Sequence, residues 1–266
     1  MVIRRDRYLN KLIAKKENGL VKVITGIRRC GKSFLLFRLY HDYLNSIGVR
    51  DDHIIEPAPD EAADARYCNP LELDRFIREQ VKDGAEQYYV FPDEIQEVAD
   101  IRNPYLDSPD AEIGFTDVLL GLMRLKNVDL YGTGSSFHLL SSDIMTEFRR
   151  RGDEIRVNSL TYREFYEPFP GEKRHAWREY CTYGGRPMIL SMKTHEEKSR
   201  YLKDLFAGTY FRDVLERNHI LNDRSVLEDL LSVISSSVGS LTNPTRLSNT
   251  FRMEKQVSVA PGTIEK

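Results

Sequence analysis

Residues 26 to 33 read Gly26-Ile27-Arg28-Arg29-Cys30-Gly31-Lys32-Ser33. Gly26 and Gly31 let the main chain turn until successive N–H groups face one concavity, a shape that holds phosphate oxygens. From this spacing Lys32 reaches β- and γ-phosphates, and the Ser33 hydroxyl completes a magnesium shell. The order is G-x-x-x-x-G-K-[ST], so residues Gly26 to Phe34 are read as the cradle of a nucleoside triphosphate, with Lys32 also serving catalysis.

Such a cradle needs carboxylates beside the metal. Tyr88-Tyr89-Val90-Phe91 is a short buried-strand pattern that ends in Pro92-Asp93-Glu94. Asp93 is expected to hold magnesium, usually through its water shell, and Glu94 to polarise the water that attacks the γ-phosphate. Pro92 lacks an N–H for a sheet ladder and belongs at a strand end or bulge. A further strand, Val128-Asp129-Leu130-Tyr131-Gly132, runs into Thr133-Gly134-Ser135-Ser136. Polar groups at the carboxyl end of a central strand lie where ligands bind in open α/β sheets, so one of these residues, with Ser135 the candidate, is placed to sense the γ-phosphate or to orient the attacking water. The same residues also suit a turn that caps the next helix. Glu147-Phe148-Arg149-Arg150-Arg151-Gly152 offers Arg149 and Arg151 either as an arginine finger for a neighbouring copy's nucleotide or as a surface basic cluster.

The elements that would position these groups follow from the pattern around them. Leu20 to Thr25 is apolar and β-branched, a strand buried on both faces, and Phe34 to Tyr40 has helical spacing. A helix starting near Lys32 adds the positive end of its dipole to the cradle. Asn69 and Pro70 are an N-cap and first-turn pair for a helix over 70–81. Residues 99–112 read as an acidic loop, followed by a helix carrying Phe115, Val118, Leu119, Leu122 and Leu125. Tyr162 to Pro168 closes the sheet domain, and Pro168, Pro170 and Gly171 mark a boundary. Domains 1–168 and 169–266 are therefore expected. The second is helical over 177–183, 195–218 and 223–236. From Pro244 comes a helix, a turn and the start of another helix at Pro261, a helix-turn-helix pattern.

Composition limits the alternatives. The 266 residues carry 39 basic and 41 acidic side chains, a formal net charge of −2, so a chain-wide electrostatic grip on nucleic acid is excluded. With 41% apolar residues the chain reads as globular rather than disordered. No apolar run has the length of a membrane helix. Cys30, Cys68 and Cys181 form no C-x-x-C pair, which argues against a disulfide scaffold or a zinc cluster and fits the reducing cytoplasm. The charge is uneven: residues 1–32 hold ten basic groups against Asp6 and Glu17, whereas 51–64 hold six acids and no Lys or Arg. The basic block runs straight into the cradle, and the acidic one reads as a solvated face.

The runs GIRRCGKSFLL, DEIQEV, TGS with LLSSDIMTEF, EIRV with its following Leu-Thr-Tyr-Arg-Glu-Phe, YGGRP and YLKDLF…RDVLERN together resemble the predicted AAA+ ATPases of bacteria and archaea that carry a C-terminal domain of unknown function. The resemblance implies a P-loop NTPase (AAA+-like) α/β fold, a parallel sheet flanked by helices and followed by a helical, winged-helix-like region. It implies ATP as the nucleotide and the roles above for Gly31, Lys32, Ser33, Asp93 and Glu94. It also supports Ser135 and Ser136 as the sensor region and Arg149 or Arg151 as the finger. Pro92, Ser136, Arg150 and Arg186 depart from that pattern, where Leu, Asn, Gly and an apolar residue are usual. The short last helix suggests a fragment lacking the family's nuclease-like C-terminal domain.

The expectation is a magnesium-dependent ATPase binding ATP, with self-association supplying an Arg finger, a DNA or protein partner for residues 169–266, and no membrane. A nucleotide-gated binding switch that hardly hydrolyses is the alternative reading. A GTPase is disfavoured because the chain has no N-K-x-D tetrapeptide.

Overall fold

The computed structural model describes residues 2–82, 84, 86–108, 110–134, 152–208, 224–237, 239 and 241–255. Five strands, β1 (Val21–Thr25), β2 (Ile54–Ile55), β3 (Tyr88–Val90), β6 (Val128–Gly134) and β7 (Gly152–Arg156), form one sheet in the order β2-β3-β6-β1-β7. Every pairing in it is parallel. Parallel strands need crossovers, and these put helices on both faces.

Alternation along β1 assigns its two faces. Val21 and Val23 pack with Leu73 and Ile77 of α3 (Pro70–Gln80) and Val118, Leu119 and Leu122 of α4 (Phe115–Leu122). Ile24 packs the other way, with Tyr8 and Leu12 of α1 (Asp6–Ala14) and with Leu35, Leu36, Tyr40 and Leu44 of the helix that follows the cradle. That helix, α2 (32–46), passes through a π-helical stretch at Leu35–Tyr40 between α-helical turns Lys32–Phe34 and His41–Ser46. At α3 the Asn69 side chain accepts from the Leu71 N–H at 3.0 Å, the cap expected there.

Three features run against the sequence pattern. Lys22 lies inside the apolar β1 and is fully buried, because its ammonium meets the Asp129 carboxylate from β6. Residues 99–112 are more than a loop: β4 (Ile101–Arg102) and β5 (Glu112–Ile113) pair antiparallel. Two-residue strands show no periodicity, so nothing in the sequence announces them. The acidic stretch is also more than a solvated face, since Glu56 contacts His41 at 2.8 Å and Asp64 accepts the Ala58 N–H at 3.1 Å.

After β7 the chain is helical: α5 (Tyr162–Tyr166), α6 (Lys173–Tyr183), a 3-10 turn at Pro187–Ser191 and α7 (His195–Phe206). Ile3, Leu160, Phe165 and Ile189 form a third apolar cluster. One compact unit spans Met1–Lys203 and a second Asp204–Lys266. In the second, α8 (Arg224–Ser236) and α9 (Pro244–Lys255) pack together. The expected start of a further helix at Pro261 lies outside the described residues. No described helix is long and apolar enough to cross a membrane.

Candidate functional site

The cradle sits at the carboxyl end of β1. Gly26 has φ 149°, and a Cβ there would stand 2.2 Å from the Val157 carbonyl oxygen, so β7's exit fixes this position as glycine. The turn closes through the Cys30 N–H donating to the Ile27 carbonyl at 3.3 Å. Arg29 (φ 57°) and Gly31 (φ 96°) are both left-handed, a backbone that makes neighbouring N–H groups converge. Gly31 stands at the N-cap of α2, so the first-turn N–H groups of the helix open toward the same space.

Lys32 is only 4% exposed, and its ammonium donates to the carbonyls of Gly26 at 3.1 Å and Ile27 at 3.4 Å. The Ser33 hydroxyl donates to Asp93 Oδ1 at 3.2 Å. The Thr133 hydroxyl, near the carboxyl end of β6, donates to the same oxygen. The helix after β1, the segment after β3 and the end of β6 thus bring one oxygen each to a single point. Burial raises the Asp93 pKa from its ordinary value; the two hydroxyls pull it down, and the neighbouring Glu94 charge pushes it up again.

Pro92 stands past the end of β3, where a missing N–H costs the ladder nothing, and its carbonyl accepts the Thr133 N–H at 3.1 Å. Glu94 is left-handed (φ 41°), and its N–H donates to Thr133 Oγ1 at 3.2 Å. Its carboxylate accepts from the Gln96 amide. Burial pushes the Cys30 thiol up, against the pull of Lys32, Arg5 and Arg186.

Beside the cradle opens a cavity of about 590 Å³, with Ile3, Leu160, Pro187 and Met188 as apolar walls and Lys32, Ser33 and Glu94 on its polar side. Ile27 and Phe34 are exposed, and the Arg29 guanidinium lies over the Tyr201 ring, 5.6 Å from its centre. The structure therefore gathers Gly26, Gly31, Lys32, Ser33, Asp93 and Glu94. Ser135, Ser136, Arg149 and Arg151 lie outside the described residues. Sequence reasoning named Thr133 with its neighbours at the end of a central strand without choosing it, noted Arg186 only as a departure from the family pattern, and passed over Gln96 and Arg5.

Residues 18–166 match the family model of an AAA domain. The chain belongs to this AAA-domain family. Residues 174–260 match a second model, a domain of unknown function. The AAA domain and its extension are 28% identical over 270 residues, the whole of this chain, to an uncharacterized protein of Haemophilus influenzae. They are 28% identical over 241 residues, 85% of this chain, to an uncharacterized protein of Methanocaldococcus jannaschii. The chain spans 63% and 47% of these two relatives' lengths. The solved Walker-type ATPase of Pyrococcus abyssi superposes with a TM-score of 0.59 at 17% identity, covering 99% of this chain and 87% of that one. That likeness gives the P-loop ATPase fold: a parallel sheet flanked by helices and followed in sequence by a helical region.

Proposed function

We propose that this AAA domain hydrolyses ATP with magnesium, using Gly26 to Phe34 to hold the nucleotide. The observation that carries the reading is the convergence of Ser33 and Thr133 on one Asp93 oxygen, 3.2 Å from the Ser33 hydroxyl. The donors there are all oxygen, a hard set that suits magnesium; Ser33 would hold the ion directly and Asp93 through water. When bound, the ion would supply positive charge against the β- and γ-phosphates.

Lys32 leaves the Gly26 and Ile27 carbonyls for the phosphates, and the cradle N–H groups take the β-phosphate oxygens. The base occupies the apolar cavity between Ile3, Leu160 and Met188. Glu94 accepts the proton of the attacking water as the new oxygen–phosphorus bond forms. The bridging bond breaks with its electron pair leaving on ADP, and inorganic phosphate departs. Ser135 would orient that water, and Arg149 or Arg151 of a neighbouring copy would complete the charge around the γ-phosphate.

The second reading is a cytoplasmic switch that binds ATP but turns over little, its output passing to DNA or protein through residues 169–266. The Gln96 amide on the Glu94 carboxylate favours it, because that bond engages one of the two carboxylate oxygens with a side chain rather than with a water. Calorimetry and phosphate release separate the two. In the ATPase, Lys32→Ala abolishes ATP binding, and Glu94→Gln keeps binding but loses about a hundredfold or more in turnover. Binding without steady phosphate release in the parent chain supports the switch, and no heat with ATP–magnesium removes both.

A further inference from the structure

Two arginines grip the cradle from outside it. Arg5, in the segment before α1, is 2% exposed. Its Nη1 donates to the Cys30 carbonyl at 3.0 Å and its Nη2 to the Asn158 carbonyl at 2.7 Å. Its Nε stands 3.0 Å from Glu164 Oε1, while the other oxygen of Glu164 accepts the Thr161 N–H at 2.8 Å. Arg186 approaches from the later part of the first compact unit and donates through Nη1 to the Arg28 carbonyl. Its position is set by Gly185: the Leu160 N–H donates to the Gly185 carbonyl at 2.8 Å, and a Cβ on Gly185 would meet the Leu160 oxygen at 2.1 Å.

These contacts act on the part of the loop that must face phosphate. In a trans peptide the carbonyl and the following N–H point in opposite directions, and no cis peptide bond is present among the described residues. A Cys30 carbonyl held outward by Arg5 sends the Gly31 N–H the other way. An Arg28 carbonyl held by Arg186 does the same for the Arg29 N–H. Arg29 is the left-handed non-glycine residue of the loop (φ 57°), a conformation that persists only when its surroundings impose it.

We infer that Arg5 and Arg186 are positioning residues, which pin the Cys30 and Arg28 carbonyls and so preorient the Gly31 and Arg29 N–H groups for the β-phosphate. The inference rests on the nucleotide reading above and deepens it. A β-phosphate role affects ADP and ATP alike, whereas direct contact of Arg186 with a γ-phosphate affects ATP alone.

The test is titration of ATP–magnesium and ADP–magnesium into the parent chain, Arg186→Leu and Arg186→Lys. The expected result for Arg186→Leu is a rise of about three- to tenfold in both dissociation constants, the worth of one ordering hydrogen bond, and the ATP-to-ADP ratio is unchanged. KM rises with it, kcat stays within about twofold because the lost interaction is uniform, and the nucleotide-free melting temperature is unchanged. Arg186→Lys, which can still donate to a carbonyl, recovers part of the loss. Arg5→Lys weakens both nucleotides again; should that buried change prevent folding, the Arg186 pair decides alone. Unchanged affinities, or a loss confined to ATP, would overturn the inference. A parent chain that binds neither nucleotide would instead overturn the nucleotide reading.

Discussion

Ser33 and Asp93 are sixty positions apart in sequence, yet the hydroxyl of one lies 3.2 Å from the carboxylate of the other. The parallel sheet makes this meeting. β1 and β3 are separated only by β6, so their carboxyl ends open on the same edge. Burial holds Asp93 above its ordinary pKa, so the folded chain resists its negative charge. Asp93→Asn should therefore raise the nucleotide-free melting temperature by about 1–3 °C. The same change should raise the magnesium concentration needed for half-maximal phosphate release at least tenfold. Differential scanning fluorimetry and a magnesium titration read the two effects; a lower melting temperature would contradict the first.

Gly26→Ala brings a methyl group against the Val157 carbonyl, 2.2 Å from where the carbon would stand. Neither partner is a flexible side chain, so loop or strand must shift. The expected cost is about 2–3 kcal/mol of stability, with ATP affinity lowered by at least tenfold as the cradle distorts. Urea melts and calorimetry on the same preparation test both; unchanged affinity would show the loop tolerates the shift.

Lys22 and Asp129 form an ion pair inside the sheet. Burial lowers the lysine pKa, and the aspartate beside it works in the opposite direction. Tyr131 donates to the other Asp129 oxygen at 2.7 Å, and so the Tyr40 hydroxyl, 2.6 Å away, donates to Tyr131. Lys22→Met leaves an uncompensated carboxylate and should cost about 3–5 kcal/mol. Lys22→Met combined with Asp129→Leu should cost less than Lys22→Met alone. A double-mutant cycle in urea measures the difference, and additive losses would refute the coupling.

His41 on α2 faces Glu56 at 2.8 Å and Asp51 at 3.1 Å. Burial pulls its pKa down, but the hydrogen bonds and charges of Glu56 and Asp51 outweigh that and leave it raised. A raised folded value means a contribution present in full below the unfolded pKa near 6.5 and lost as pH climbs through the folded one. Between about pH 6 and pH 8 the urea midpoint should fall by a few tenths of a molar. His41→Asn should flatten that slope while leaving the pH 8 midpoint nearly unchanged. An equal slope in the variant would assign the dependence to other groups.

What the sequence disclosed follows its local periodicity. The glycine spacing of 26–33 and the apolar run before it are local signals, and so are Asn69-Pro70 and the carboxylates after Phe91. The contacts that complete the site are not local. Thr133 reaches Asp93 only because β6 lies beside β3, and Arg5 and Arg186 reach the cradle from opposite ends of the first compact unit. The pairing of Lys22 with Asp129 was hidden for a similar reason, since a charge within an apolar strand identifies its partner only once the strand order is known. The two-residue strands β2, β4 and β5 are too short to leave a period.

With its ammonium already served by the Gly26 and Ile27 carbonyls, the Lys32 side chain sets an entry threshold. A lone sulfate or chloride has to break both internal bonds in exchange for one weak attraction. A polyphosphate chain would compensate at several donors simultaneously, so on the nucleotide reading the loop would favour it over the small anions of its surroundings.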